Sequence, residues 1–312
     1  MVKFDESTSD KGSKYVRDIR SQGGRRRRGG GGVGRPIAAG GGLVGVIIAI
    51  IFALLGGGGG GSALNIDTSG FDQGTGGAVE SGGPTTVIDP DAETVDFMEA
   101  LMFDIQETWD LYFDEAGLNY EPTTLTIFTG AVDTQGCGRA TSAVGPFYCP
   151  APTDRGVYVD LEFFDELSTR FGAPGDFAQA YVIAHEVGHH IQAILRISDA
   201  VRDAQARDPG NKNEYSIRQE LQADCLAGVW AFSANQRVTR DTGVPIIQAG
   251  DIEEGMAAAA SVGDDRIQES AGVGVNPHTW THGSSQQRVR WFRIGFDNGD
   301  PEMCDTFAVD NP

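Results

Sequence analysis

The chain has 312 residues, 40% of them hydrophobic, four cysteines and a formal charge of −20. That length and apolar content can bury a real core; the acidity keeps the folded part soluble and away from anionic surfaces, and the basic run at the N-terminus, readable as a nucleic-acid patch, stands instead beside an apolar stretch, where it faces lipid headgroups. The charge is uneven, with ten Lys+Arg against four Asp+Glu in residues 1–35 and fourteen against forty in the rest.

Residues 1–35 read as a basic N-terminal segment ending in Arg25-Arg26-Arg27-Arg28 and Arg35. An uncharged stretch follows, in which Ile37 to Leu55 is 19 residues long. About 20 apolar residues cross a bilayer as a helix, so 36–55 is expected to be a single transmembrane helix. The arginines then lie in the cytoplasm, facing anionic headgroups, and all that follows lies outside. A cleaved signal peptide and a buried core helix are the alternatives. The long segment ahead of the apolar stretch disfavours the first, and flanking oligoglycine disfavours the second. Residues 56–90 open on six glycines and a serine and read as a flexible linker with a reach of roughly 30 Å. Residues 91–312 remain as one extracytoplasmic domain, α+β and mostly helical with a small sheet.

Within that domain, Asp91 to Ala116 is an amphipathic helix, its apolar face marked by Leu101, Ile105, Trp109 and Phe113. Leu125 to Phe128 and Gly156 to Leu161 read as strands; the second is either an ordinary sheet strand or an edge able to take an extended peptide. Asp176-Phe177-Ala178-Gln179 fits a capping box at the start of a helix. That helix carries His185-Glu186-Val187-Gly188-His189. Histidines four apart lie one turn apart on one face and can take two corners of a zinc tetrahedron. Glu186 stands where it can take a proton from a metal-activated water. His190 points elsewhere round the helix and reads as a hydrogen-bonded structural histidine.

A catalytic zinc takes three protein ligands and keeps one position open. Gln192 and Leu195 stand where an extended motif would place Gly and His, so the third ligand must come from another element. Glu214 to Asn235 reads as a second helix, bearing Glu220 and Asp224 on one face. Glu220 is assigned as third ligand, with Glu214 the fallback. Asp224 is assigned to a ligand histidine's other nitrogen, fixing its tautomer. Ile252 to Ile267 reads as a further helix in which Asp264 and Asp265 either cap and pair with Arg266 or support the site. Ser284 to Gln287 caps a last helix running through Phe296. His282, in the loop before it, is the candidate donor to a tetrahedral oxyanion; Tyr215 and His278 are weaker candidates.

All four cysteines follow the apolar stretch, which favours disulfides. Of three possible pairings, Cys137–Cys149 with Cys225–Cys304 is preferred, since the latter would pin the C-terminal tail to the Glu220 helix. The rival, Cys149 as a metal ligand, resembles peptide deformylases but lacks their flanking residues.

The run Gly175 to His190, together with Gly145 to Pro150, Glu220 to Cys225 and Thr281-His282-Gly283, resembles the bacterial neutral zinc metallopeptidase family over nearly the whole chain. The Glu220-x-x-x-Asp224 helix is similar to that of HtpX-type membrane peptidases, whose glutamate is the third ligand. The resemblance implies a gluzincin-like site, a bound Zn2+, and a membrane-anchored endopeptidase acting on peptide or protein substrates in the cell envelope. A non-catalytic or envelope-assembly module on the same fold is the alternative.

Overall fold

The structure is a computed structural model that describes residues 1–5, 7–21 and 89–312. The expected membrane span at 36–55, the arginine run and nearly all of the linker lie outside the described residues. Among those described, no helix is long and apolar enough to cross a membrane.

The domain is α+β. Its N-terminal part holds helix α1 (Thr8–Gly12) and strand β1 (Val16–Asp18), and long helix α2 (Ala92–Glu115) follows. Strand β2 (Leu125–Phe128) leads to a small antiparallel pair, β3 (Ala131–Asp133) with β4 (Arg139–Thr141). Then come β5 (Phe147–Tyr148), β6 (Val157–Asp160) and short helix α3 (Glu162–Thr169). The rest is helical: α4 (Asp176–Ile194), α5 (Ile197–Arg207), α6 (Lys212–Asn235), α7 (Asp251–Ser261), α8 (Asp264–Ser270) and α9 (Ser285–Asn298).

The main sheet has the order β1-β2-β6-β5, parallel except for the β5–β6 pair. All four residues of β2 and of β6 are buried, as strands covered on both faces must be. β6 is therefore interior, and the edge nearest α4 is β5. The sheet packs against α4, which α5, α6 and α7 flank and which α9 reaches through Phe292 and Arg288. α4 is buried from Phe177 to Gln192 with the sole exception of Gln179. Such a helix suits the centre of a core. Trp230 of α6 stacks on Phe177, and Phe292 of α9 meets both Phe177 and Tyr181 edge-on.

Three expectations change. Asp176 does not cap α4: the N-cap is Gly175 without a side-chain bond, and Asp176 Oδ2 accepts the Val2 backbone N–H at 2.5 Å. The stretch expected as one helix over 252–267 breaks at Val262 and Gly263 into α7 and α8. By contrast, the Ser284–Gln287 capping box is present in full. The sequence partition also separates residues 1–35 from 91–312, whereas residues 1–21 pack into the domain and supply its edge strand β1.

Candidate metal centre

Helices α4 and α6 cross where Gly188 faces Ala223. A Cβ on Gly188 would come within 3.0 Å of the Ala223 carbonyl oxygen, so the small residue inside the HExxH motif sets how near α6 can lie. That approach brings Glu220 onto the histidine pair. Its Oε2 lies 3.3 Å from His185 Nε2, and its Oε1 lies 3.5 Å from His189 Nε2. The two imidazoles stand at 87° with ring centres 4.8 Å apart, and all three residues are buried. The three side chains each offer a ligand atom, all within 4.8 Å of one another.

Each ligand is held from behind. His185 Nδ1 donates to Asp224 Oδ1 at 2.8 Å. The same oxygen accepts from the Tyr181 hydroxyl at 2.5 Å, while Arg288 of α9 reaches both carboxylate oxygens of Asp224. His189 Nδ1 donates to Gln192 Oε1 at 2.9 Å, and the Gln192 amide donates onward to Gln219 O and Gln222 Oε1. Both histidines thus turn Nε2 toward Glu220, the second-layer arrangement that fixes metal-ligand tautomers.

Four buried polar atoms of this group have no hydrogen-bond partner: Glu186 Oε2, His189 Nε2, Glu220 Oε2 and His282 Nε2. The Glu220 contacts lie at ion-pair distance without hydrogen-bond geometry. Leaving such groups unpaired costs roughly 1–3 kcal/mol each, so this concentration marks a place built for a further group. Two imidazole nitrogens and a carboxylate suit zinc, with one position left open.

Electrostatics agree. Burial alone would lower the His185 pKa, but Asp224 and Glu220 outweigh it and hold it at about 9. Burial would raise Glu220, and the His189 and His185 rings instead hold it well below the usual carboxylate range. For Glu186, burial prevails over the two histidines and raises the carboxyl.

His282 lies 1% exposed in the loop before α9. Asp264, at the start of α8, accepts from His282 Nδ1 at 3.1 Å and from the backbone N–H groups of Thr281, His282 and Gly283. So Asp264 positions this loop. Arg266 pairs with Glu269 instead, and Asp265 accepts from Ser285. Glu214 is an exposed partner of Arg218 and no ligand. Tyr215 contacts Asp208, and His278 is exposed. His190 is structural, accepting from the Tyr148 hydroxyl and donating to Glu121 O. Cys149 is bonded to Cys137, which removes it as a ligand, and Cys225 is bonded to Cys304. Sequence reasoning missed Gln192, Arg288 and Tyr181. Gln192 had a usable signal, since it lies one turn beyond His189 on the same helix. Arg288 had none, because it arrives from 64 residues past Asp224.

A helix carrying two imidazoles and a glutamate, completed by a carboxylate from a crossing helix, forms a group that could hold a metal ion. The chain belongs to the family described as "Putative neutral zinc metallopeptidase", which it matches over residues 7–307. It is 44% identical over 236 residues to the uncharacterized protein YpfJ of Escherichia coli strain K12, covering 75% of this chain and 79% of that one. It is 46% identical over 194 residues to the uncharacterized protein Rv2575 of Mycobacterium tuberculosis strain H37Rv, covering 61% and 64%. No solved structure matches the chain.

Proposed function

We propose that the protein is a zinc-dependent endopeptidase that hydrolyses peptide bonds of extended protein segments at the cell envelope. The observation that carries this is Glu186, buried beside the His185–His189–Glu220 group with Oε2 unpartnered. A purely structural metal site has no use for such a base. Zinc held by His185 Nε2, His189 Nε2 and Glu220 would polarise the scissile carbonyl and acidify a water. Glu186 is the residue that would take a proton from the attacking water and deliver it to the leaving amine. His282, held at Nδ1 by Asp264 and with its buried Nε2 without a partner, would supply the donor to the developing oxyanion.

The position of β5 at the end of the main sheet, among the described residues, supports binding of an extended peptide by strand addition. Beside Glu186 lies a cavity of about 50 Å³ whose wall includes Val144, Phe163, Phe171, Val182 and Val262. It suits an apolar substrate side chain next to the scissile bond. A larger cleft of about 540 Å³, between α7 and α9, is lined by none of the site residues. The apolar stretch at 36–55 and the two disulfides support work at a membrane, in an oxidising space.

The test is cleavage of a peptide library by the purified protein, with and without chelator, beside Glu186→Gln. Wild type should cleave, lose activity to chelator and regain it with zinc. Glu186→Gln should keep about one zinc per chain and lose at least about 100-fold in turnover. Near wild-type turnover by that variant, or no cleavage by zinc-loaded wild type, would remove the proposal.

A further inference from the structure

Residues 1–21 precede the apolar stretch and residues 89–312 follow it, yet they form one fold. β1 pairs in parallel with β2, in the register Val16↔Leu125, Arg17↔Thr126 and Asp18↔Ile127. The ladder continues past the strand, where the Ile19 N–H donates to Ile127 O at 2.9 Å. Further back, the Lys3 N–H donates to Ile246 O, the Val2 N–H to Asp176, and Asp5 accepts the Arg240 N–H. Val2 is 4% exposed. α1 presses on α2 so closely that a Cβ on Gly12 would overlap the Glu99 carbonyl. These contacts reach the main sheet, α2, the start of α4 and the loop before α7, so the segment is built into the domain rather than resting on it.

The two ends of segment 22–88 also meet. Arg20, 12% exposed, donates to Asp91 Oδ2 at 2.5 Å, to Asp89 Oδ2 at 2.7 Å and to Asp18 at 3.0 and 2.8 Å. One guanidinium thus joins the last residues before that segment to the first residues after it. The chain leaves the domain and returns to it at a single point.

We propose that residues 1–21 and 89–312 lie on the same side of the membrane, in one compartment. A single crossing would put β1 and β2 in different compartments and make their pairing impossible. A return crossing within the segment would need about 40 apolar residues, and Ile37 to Leu55 supplies 19. One shared compartment replaces the single-pass arrangement expected from charge asymmetry, because strand pairing and the Arg20 contacts constrain both ends of the segment together.

Two experiments test it on the full chain. All four native cysteines are disulfide-bonded, so an introduced cysteine is the sole free thiol. Ser7→Cys and Ser270→Cys, both at exposed positions, are each labelled with a membrane-impermeant maleimide in intact and in permeabilised spheroplasts. Both should react under the same condition; labelling of one before permeabilisation and of the other only after it overturns the proposal. Separately, the detergent-purified protein is cut by protease within 22–88 and passed over a sizing column. The N-terminal fragment should co-elute with 89–312, and its release as a free peptide would equally overturn the proposal.

Discussion

Arg288 closes a two-pronged ion pair on Asp224, Nε to Oδ2 and Nη2 to Oδ1, each at 2.8 Å. Neither side chain is more than 2% exposed. Burial alone would raise the Asp224 pKa; Arg288 and then His185 outweigh it and keep the carboxylate ionised. The order of dependence runs from Arg288 to Asp224 to His185 to the metal. Asp224→Asn should therefore weaken zinc binding by roughly 10–100-fold. Arg288→Met, which strands a buried charge, should cost about 3–5 kcal/mol of stability. Chelator competition measures the first and chemical denaturation the second. Glu214→Gln, at an exposed pair, should change neither. If Asp224→Asn binds zinc as wild type does, Asp224 does not orient His185.

Zinc uptake should be strongly pH-dependent, in a direction set by His185. Its pKa in the metal-free site is raised to about 9, above the ordinary 6.5, so the ring carries a proton at neutral pH. Binding through Nε2 must expel that proton. Apparent affinity should thus rise by up to about tenfold per pH unit for each proton displaced, and flatten above about pH 9. Calorimetric titration of chelator-stripped protein in two buffers of different ionisation enthalpy reads the proton count directly. An affinity that stays flat between pH 6.5 and 8.5 would show that the site binds metal without displacing the His185 proton.

The clustering of the two histidines with Glu220 was largely readable from sequence because helix periodicity is local. His185, Glu186 and His189 needed only a helix, and Glu220 and Asp224 only a second one crossing it. Strand Leu125–Phe128 and the last helix's cap were equally local signals. What stayed hidden depends on contacts between distant segments. Asp176 looked like a cap, but its partner is the backbone of Val2, 174 residues earlier. β1 and β5, at three and two residues, are too short to show alternation and exist only by pairing with β2 and β6. β6 is buried on both faces although Tyr158 and Asp160 alternate with its valines, so period-two reasoning could not tell an interior strand from an edge. Arg288 is buried only because α9 lies hard against α6, where a Cβ on Gly295 would overlap the Cys225 carbonyl.

The two disulfides should be separable in effect. Cys225 lies on α6 five residues past Glu220, and its bond to Cys304 spans 79 residues. The tail it anchors holds the same stretch of α6 again: Arg218 donates to Thr306 O and Val309 O, the Thr306 hydroxyl donates to Arg218 O, and Gln222 donates to Cys304 O. In the chain-entropy picture that bond is worth roughly 4 kcal/mol, and Cys137–Cys149, spanning 12 residues, roughly 3 kcal/mol. Removing the first as Cys225→Ser with Cys304→Ser should lower the melting temperature by about 10 °C. It should also weaken zinc binding, because the helix bearing Glu220 and Asp224 loses its brace. Removing the second should lower the melting temperature less and leave zinc affinity unchanged, since that bond ties the β3–β4 turn to the start of the β5–β6 connection and touches neither α4 nor α6. Thermal melts and chelator competition on both double variants decide the point. If the Cys137–Cys149 variant is the one that loses zinc, the tail does not hold the ligand helix in place.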